Sequence, residues 1–149
     1  MTLDAILAYL HFMAIFVLFA FLTAQAMFLR SVLDDRGIRL VGRIDLWYFG
    51  AAMVALATGF ARLGLGAKGA DFYMANWPFY AKLATFLLVA AISVVPTLSF
   101  VRWRQALAGD PAWRVPPAEQ ARMRKLVMVE LHLGALIPVF AVMMARGLG

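Results

Sequence analysis

Hydrophobic positions gather into four long runs, about residues 3–29, 46–65, 78–101 and 126–145, and polar residues fall mainly between them. Each run is long enough to cross a bilayer, which takes ~20 apolar residues. The pattern predicts an all-α, integral membrane four-helix bundle, one transmembrane domain over residues 1–149 with a single sizeable polar connection at 102–125. Aromatic rings support the segment limits. Tyr9, Trp47, Tyr48, Tyr73, Trp77, Tyr80 and Trp103 fall near segment ends, where an amphipathic ring prefers the membrane–water interface.

Within the second run Ala51, Ala55 and Gly59 recur every fourth residue, a small-residue stripe that lets a neighbouring helix approach closely. Pro96 and Pro138 interrupt the third and fourth runs. Each removes a backbone donor and frees the carbonyl four residues earlier, Ile92 and Gly134, so both helices are expected to kink. In the 102–125 connection, Pro116-Pro117 followed by Ala118-Glu119-Gln120-Ala121 reads as the start of a short helix along the membrane surface.

Composition agrees with this class: 64% of residues are hydrophobic and 15% charged, and the mean hydropathy is +0.83, a poor match to a soluble domain. The formal charge of +6 would suggest nucleic acid if the basic residues formed one patch, but they follow loop parity. Arg30, Arg36, Arg39 and Arg43 cluster between the first two runs, and Arg102, Arg104, Arg114, Arg122, Arg124 and Lys125 between the last two, ten of the fourteen. By the positive-inside rule both connections are cytoplasmic and both termini face outward, as in a multi-pass protein of the bacterial inner membrane. The cluster Arg122, Arg124 and Lys125 reads first as a topology anchor and second as a lipid-headgroup site. The expected partners are the bilayer and a membrane complex or a second copy of the chain, with no nucleic acid. Ala24-Gln25-Ala26 has the form of a signal-peptidase site, but the segment before it lacks a positive charge and carries Asp4, so a retained helix is expected. There is no cysteine, which excludes disulfides, iron–sulfur clusters and thiolate metal sites.

Charged or titratable groups inside such runs cost ~2.5–3.5 kcal/mol or more at a helix centre. His11, Arg62, Lys82, Glu130 and His132 are therefore the candidate functional residues. Counting along the helices places His11, Arg62 and Lys82 in the outer leaflet, where three cationic or potentially cationic groups converge. An anionic ligand would relieve their repulsion. Haem or a related tetrapyrrole fits: a histidine ligates iron, arginine and lysine neutralise propionates, and Phe12, Phe60 and Phe86 supply walls. The alternatives are snorkelling of Lys82 and Arg62 to the headgroups, and for His11 a hydrogen bond to a neighbouring helix, such as to Thr58 or a freed carbonyl. Glu130 and His132 belong to the inner leaflet near the level of Arg30 and Asp45. Residues two apart on a helix do not share a face, so one should point into the bundle and the other sideways. Glu130 is expected to pair with Arg30 or Arg43, or with His132 and Asp45 to serve proton movement. Met143, Met144 or Lys82 is better placed than His132 to complete a His11 site.

Tyr9-Leu10-His11-Phe12, Arg43-Ile44-Asp45-Leu46, Ala57-Thr58-Gly59 and Phe79-Tyr80-Ala81-Lys82-Leu83 resemble a small bacterial four-helix membrane family, domain-of-unknown-function family 2214. The similarity covers nearly the whole chain and implies a fold and topology. More distantly, the layout is similar to HemJ-type protoporphyrinogen oxidases and the membrane domain of CopD-type copper proteins. The HemJ resemblance implies roles in haem binding for His11, Arg30 and Lys82, although the stretch from His11 to Arg30 is longer than that pattern and lacks its Pro-Arg pair. A CopD-type copper site would need clustered Met and His ligands, which the two distant histidines do not supply. The expected function is a b-type haem or tetrapyrrole-binding redox protein, with His11 as axial ligand and Lys82, Arg62 and Arg30 binding the cofactor. A non-enzymatic accessory or assembly subunit of a larger membrane complex is the alternative.

Overall fold

A computed structural model describes residues 2–66 and 69–148. Among the described residues there are six helices and no strand: α1 (Leu3–Phe28), α2 (Asp35–Leu65), a short α3 (Gly69–Met74), α4 (Trp77–Gly109), α5 (Pro117–Gly134) and α6 (Leu136–Ala145). Four spans are long and apolar enough to cross a membrane, the last formed by α5 and α6 together.

The helices run past the hydrophobic runs that announce them. α2 has 31 residues and α4 has 33, or roughly 46–50 Å at ~1.5 Å per residue, well beyond a hydrocarbon core of ~30 Å. The excess projects at one end, where α2 begins eleven residues before the apolar run and α4 carries Arg102 and Arg104. Asp34 sets the start of α2 by accepting from the Gly37 N–H at 2.6 Å. The polar connection of 102–125 is thus largely helical, leaving residues 110–116 as the link. No separate surface helix forms after Pro116-Pro117, because α5 continues unbroken from Pro117 into the span.

The two prolines behave differently. α4 passes through Pro96 without interruption, whereas the last span breaks at Ala135, between α5 and α6. Pro138 cannot donate to the Gly134 carbonyl, and the break lies one residue after that carbonyl.

Packing divides the bundle into a dense end and an open end. At the basic end, Leu22, Ala26, Leu29, Ile38, Val41, Phe100, Trp103, Met123 and Val127 form a continuous core. Trp103 is 1% exposed and its Nε1–H donates to Glu119 at 3.0 Å, tying α4 to α5. This corrects the expected interfacial belt: Tyr48, Tyr73 and Trp103 are buried, while Tyr9, Trp47, Trp77 and Tyr80 are exposed. A ring near a segment end goes inside when its helix extends beyond that end and packs there. The α1 C-terminus is held by Gln120, whose Nε2 donates to the Leu29 carbonyl at 3.2 Å and the Ser31 carbonyl at 2.7 Å. Gln120→Ala should lower stability by about 1 kcal/mol, read as a lower melting temperature in detergent.

Of the helix pairs, α1 and α2 pack most extensively. Ala51 and Ala55 of the small-residue stripe are buried, as close approach of two helices in lipid requires.

Candidate functional site

A cavity of about 380 Å³ lies among α1, α2, α4, α5 and the start of α6. Its walls are mainly apolar, with His11 and Lys82 toward the termini and Tyr48, Ser93, Thr97 and Glu130 toward the basic end. Several lining residues, among them Phe49, Met53 and Phe60 of α2 and Leu87, Val94 and Leu98 of α4, are also exposed on the outside of the bundle. The cavity therefore opens laterally toward lipid between α2 and α4.

His11 is half-buried and fastened to α2 by one edge of its ring. Nδ1 lies 2.9 Å from the Ala55 carbonyl oxygen and 3.1 Å from Thr58 Oγ1. A carbonyl only accepts, so Nδ1 carries a proton, and in the neutral ring the lone pair is then at Nε2. The Thr58 hydroxyl itself donates to the Val54 carbonyl at 2.6 Å, which leaves its oxygen free to accept from Nδ1. Nε2 has no hydrogen-bond partner among the described residues. Gly59 makes this seat available, since a Cβ there would stand 3.2 Å from His11 Cε1. Gly59→Leu is expected to dislodge the ring, which NMR of histidine-labelled protein would register as loss of the hydrogen-bonded Nδ1–H signal. The sequence alternative of a bond to Thr58 is thus correct for Nδ1 and leaves the second nitrogen unassigned.

Lys82 lines the same cavity and its Nζ sits 5.7 Å from the centre of the Phe79 ring. Arg62 is outside the lining, with Cζ 5.9 Å from the Phe12 ring centre and a buried Nε that has no partner. Both charges are near enough to act on His11. Ion pairs join Arg102 to Glu119 at 3.7 Å and Arg114 to Asp35 at 3.1 Å, both at the basic end. Phe60 and Phe86 line the cavity, and Phe12 does not.

Arg30 is not brought to the site. It is exposed beyond the end of α1, ~28 Å along the helix direction from His11. His132 points outward, its Nδ1 2.6 Å from the Met128 carbonyl of its own helix. Met143 and Met144 are not among the lining residues.

Glu130 points inward and is 1% exposed, as the two-residue spacing from His132 required of one of the pair. The expected clasp with Arg30 or Arg43 does not form, because both arginines are exposed at the basic face. Glu130 instead accepts from the Tyr48 hydroxyl at 3.3 Å through Oε2. Asp45, also buried, accepts from Gln25 Nε2 at 3.1 Å. Gln25, Tyr48, Ser93 and Thr97 were missed in the sequence. Gln25 is polar in an apolar run, a signal of the same kind as a charge. The hydroxyls carry almost none, since Ser and Thr commonly satisfy themselves on their own helix, as Ser93 does with the Ala90 carbonyl at 2.8 Å.

Among the described residues no group of three or more His, Cys, Asp or Glu side chains is arranged to hold a metal ion. Neither a curated protein nor a solved structure matches the chain. The model of a predicted membrane protein family, DUF2214, matches residues 3–149; the chain belongs to that family.

Proposed function

We propose that this chain binds a b-type haem or related tetrapyrrole at the His11 end of its cavity and serves a redox function in the bacterial inner membrane, with both termini facing outward. The observation that carries the reading is the contact of His11 Nδ1 with the Ala55 carbonyl. Donation of Nδ1–H to the Ala55 carbonyl at 2.9 Å leaves Nε2 as a lone-pair donor on a cavity-lining residue. Histidines that ligate metals are held in this way, the second ring nitrogen bonded to a carbonyl or carboxylate.

The residues present fit the group in three respects. One axial nitrogen is available, and Lys82 offers an amine for a propionate or a second axial position. The positive charge of Lys82 in the lining and of Arg62 beside it suits an anionic ligand. Phe60, Phe86, Leu56 and Leu63 wall the site, and its opening toward lipid allows the edge of a macrocycle to extend between α2 and α4. When bound, the group would supply one-electron chemistry. The chain would hold it, set the donor nitrogen and limit access of water. Arg30, far from this end, has no part in the site.

The outward orientation rests on the arginines and lysines, ten of fourteen of which lie in or beside the two connections at the basic end. A reduced-minus-oxidised visible spectrum of the purified protein in mild detergent, with a pyridine haemochrome assay, tests the proposal. A near-stoichiometric b-type signal is expected. A flat spectrum from folded protein would overturn it and favour the accessory-subunit reading.

A further inference from the structure

The basic end of the cavity holds an unsatisfied group that the His11 site does not use. Glu130 is 1% exposed, yet its Oε1 has no hydrogen-bond partner. Its other oxygen is met only by Tyr48, at 3.3 Å, a long O–H···O contact. A buried polar atom without a partner costs about 1–3 kcal/mol, more if charged, and helix–helix packing does not require one here. Four polar side chains, Tyr48, Ser93, Thr97 and Glu130, line this end, while the remaining walls are apolar and open toward lipid.

We propose that the Glu130 end of the cavity binds the hydroxyl of a lipophilic hydroquinone, with the ring between α2 and α4 and the tail in the bilayer. A hydroxyl suits Glu130 Oε1 in either protonation state. It donates to a carboxylate and accepts from a carboxylic acid, whereas an ammonium can only donate and a ketone only accept. The lateral opening requires a ligand that partitions into lipid. Tyr48 and Phe49 of α2 flank the space with aromatic surface, which suits a flat ring. The choice of a hydroquinone over another membrane-soluble alcohol rests on the redox reading above, since it names the electron-carrying partner of the same cavity. Ser93 and Glu130 are separated from Lys82 by most of the cavity length, ~16 Å from Lys82 to Ser93 along α4. The two ends can therefore be tested apart.

The experiment uses the full chain in phosphatidylcholine nanodiscs with decylhydroquinone, and with its dimethyl ether as a probe of equal ring and tail without the hydroxyl. Retained ligand is measured against empty nanodiscs, and difference infrared spectra follow the carboxyl bands. The wild type should retain decylhydroquinone saturably and show a carboxyl band change that the ether does not produce. Glu130→Gln should lose that band while keeping binding within a few fold, because an amide still donates and accepts. Glu130→Leu should weaken binding by up to about tenfold, as loss of a hydrogen bond does. Tyr48→Phe, which leaves the cavity lining apolar but otherwise intact, should weaken it less. Melting temperatures identify any variant that fails to fold. Retention equal to empty nanodiscs, equal retention of the ether, or an unchanged band in Glu130→Gln would overturn the proposal, leaving water as the occupant of Oε1. Binding that persists in His11→Ala, or in wild type lacking haem, would support this site even if the tetrapyrrole reading failed. Haem bound with no hydroquinone response would sink this proposal alone.

Discussion

Replacement of His11 by alanine should abolish the b-type visible spectrum while the bundle remains folded. The ring makes one strong external contact, Nδ1 to the Ala55 carbonyl at 2.9 Å, with Thr58 Oγ1 at 3.1 Å beside it. Neither partner is stranded by the change. The Ala55 carbonyl lies inside α2 and keeps its helical bond, and Thr58 keeps its bond to the Val54 carbonyl at 2.6 Å. The stability cost is therefore about 1 kcal/mol, that of an ordinary hydrogen bond. The loss of cofactor should be complete, because His132 faces outward and offers no substitute. Visible absorbance and thermal unfolding measured on one preparation separate the two effects. Full absorbance in a folded His11→Ala variant would remove His11 as the ligand. Lys82→Ala should give a weaker or spectrally shifted complex, since it removes a charge and a second donor without touching the His11 tautomer.

The largest loss of stability is expected at the opposite end. Trp103→Ala should cost about 3–5 kcal/mol, the range for truncating a buried aromatic residue. Trp103 is 1% exposed, packs edge-on against Phe100 with ring centres 5.4 Å apart, and donates to Glu119 at 3.0 Å. The substitution opens a void in the main core and removes the Glu119 contact that ties α4 to the first turn of α5. The surrounding core relaxes only partly around a cavity, so nothing refills the void at low cost. Trp103→Phe should recover part of the loss, the hydrogen bond remaining absent. Unfolding in a denaturing detergent titration gives both values. A Trp103→Ala variant as stable as wild type would mean that this end contributes little to the fold.

The residues differ in how openly their positions could be read. His11, Lys82 and Glu130 stand out because a polar group inside an apolar run has to be compensated. That logic does not identify the compensation. It suggested arginine for Glu130, and the partner is Tyr48 of α2. Arg30 shares a helix axis with His11 but not a level in the membrane, and a motif comparison that counts residues does not see the difference. Trp103 resembles an interfacial ring in one dimension and is a core residue in three, because α4 continues to Gly109 and packs along that extension.

Membrane class, four spans, the inward direction of one member of the Glu130 and His132 pair, and the candidate rings and charges followed from the sequence alone. They depend on hydropathy and helical period, which are local properties. Which nitrogen of His11 is free, which carboxylate lacks a partner, and where α2 and α4 part to leave a cavity depended on the tertiary structure. Those features arise from contacts between residues such as His11 and Ala55, or Tyr48 and Glu130, 44 and 82 positions apart, and no local pattern encodes the rotation of one helix against another.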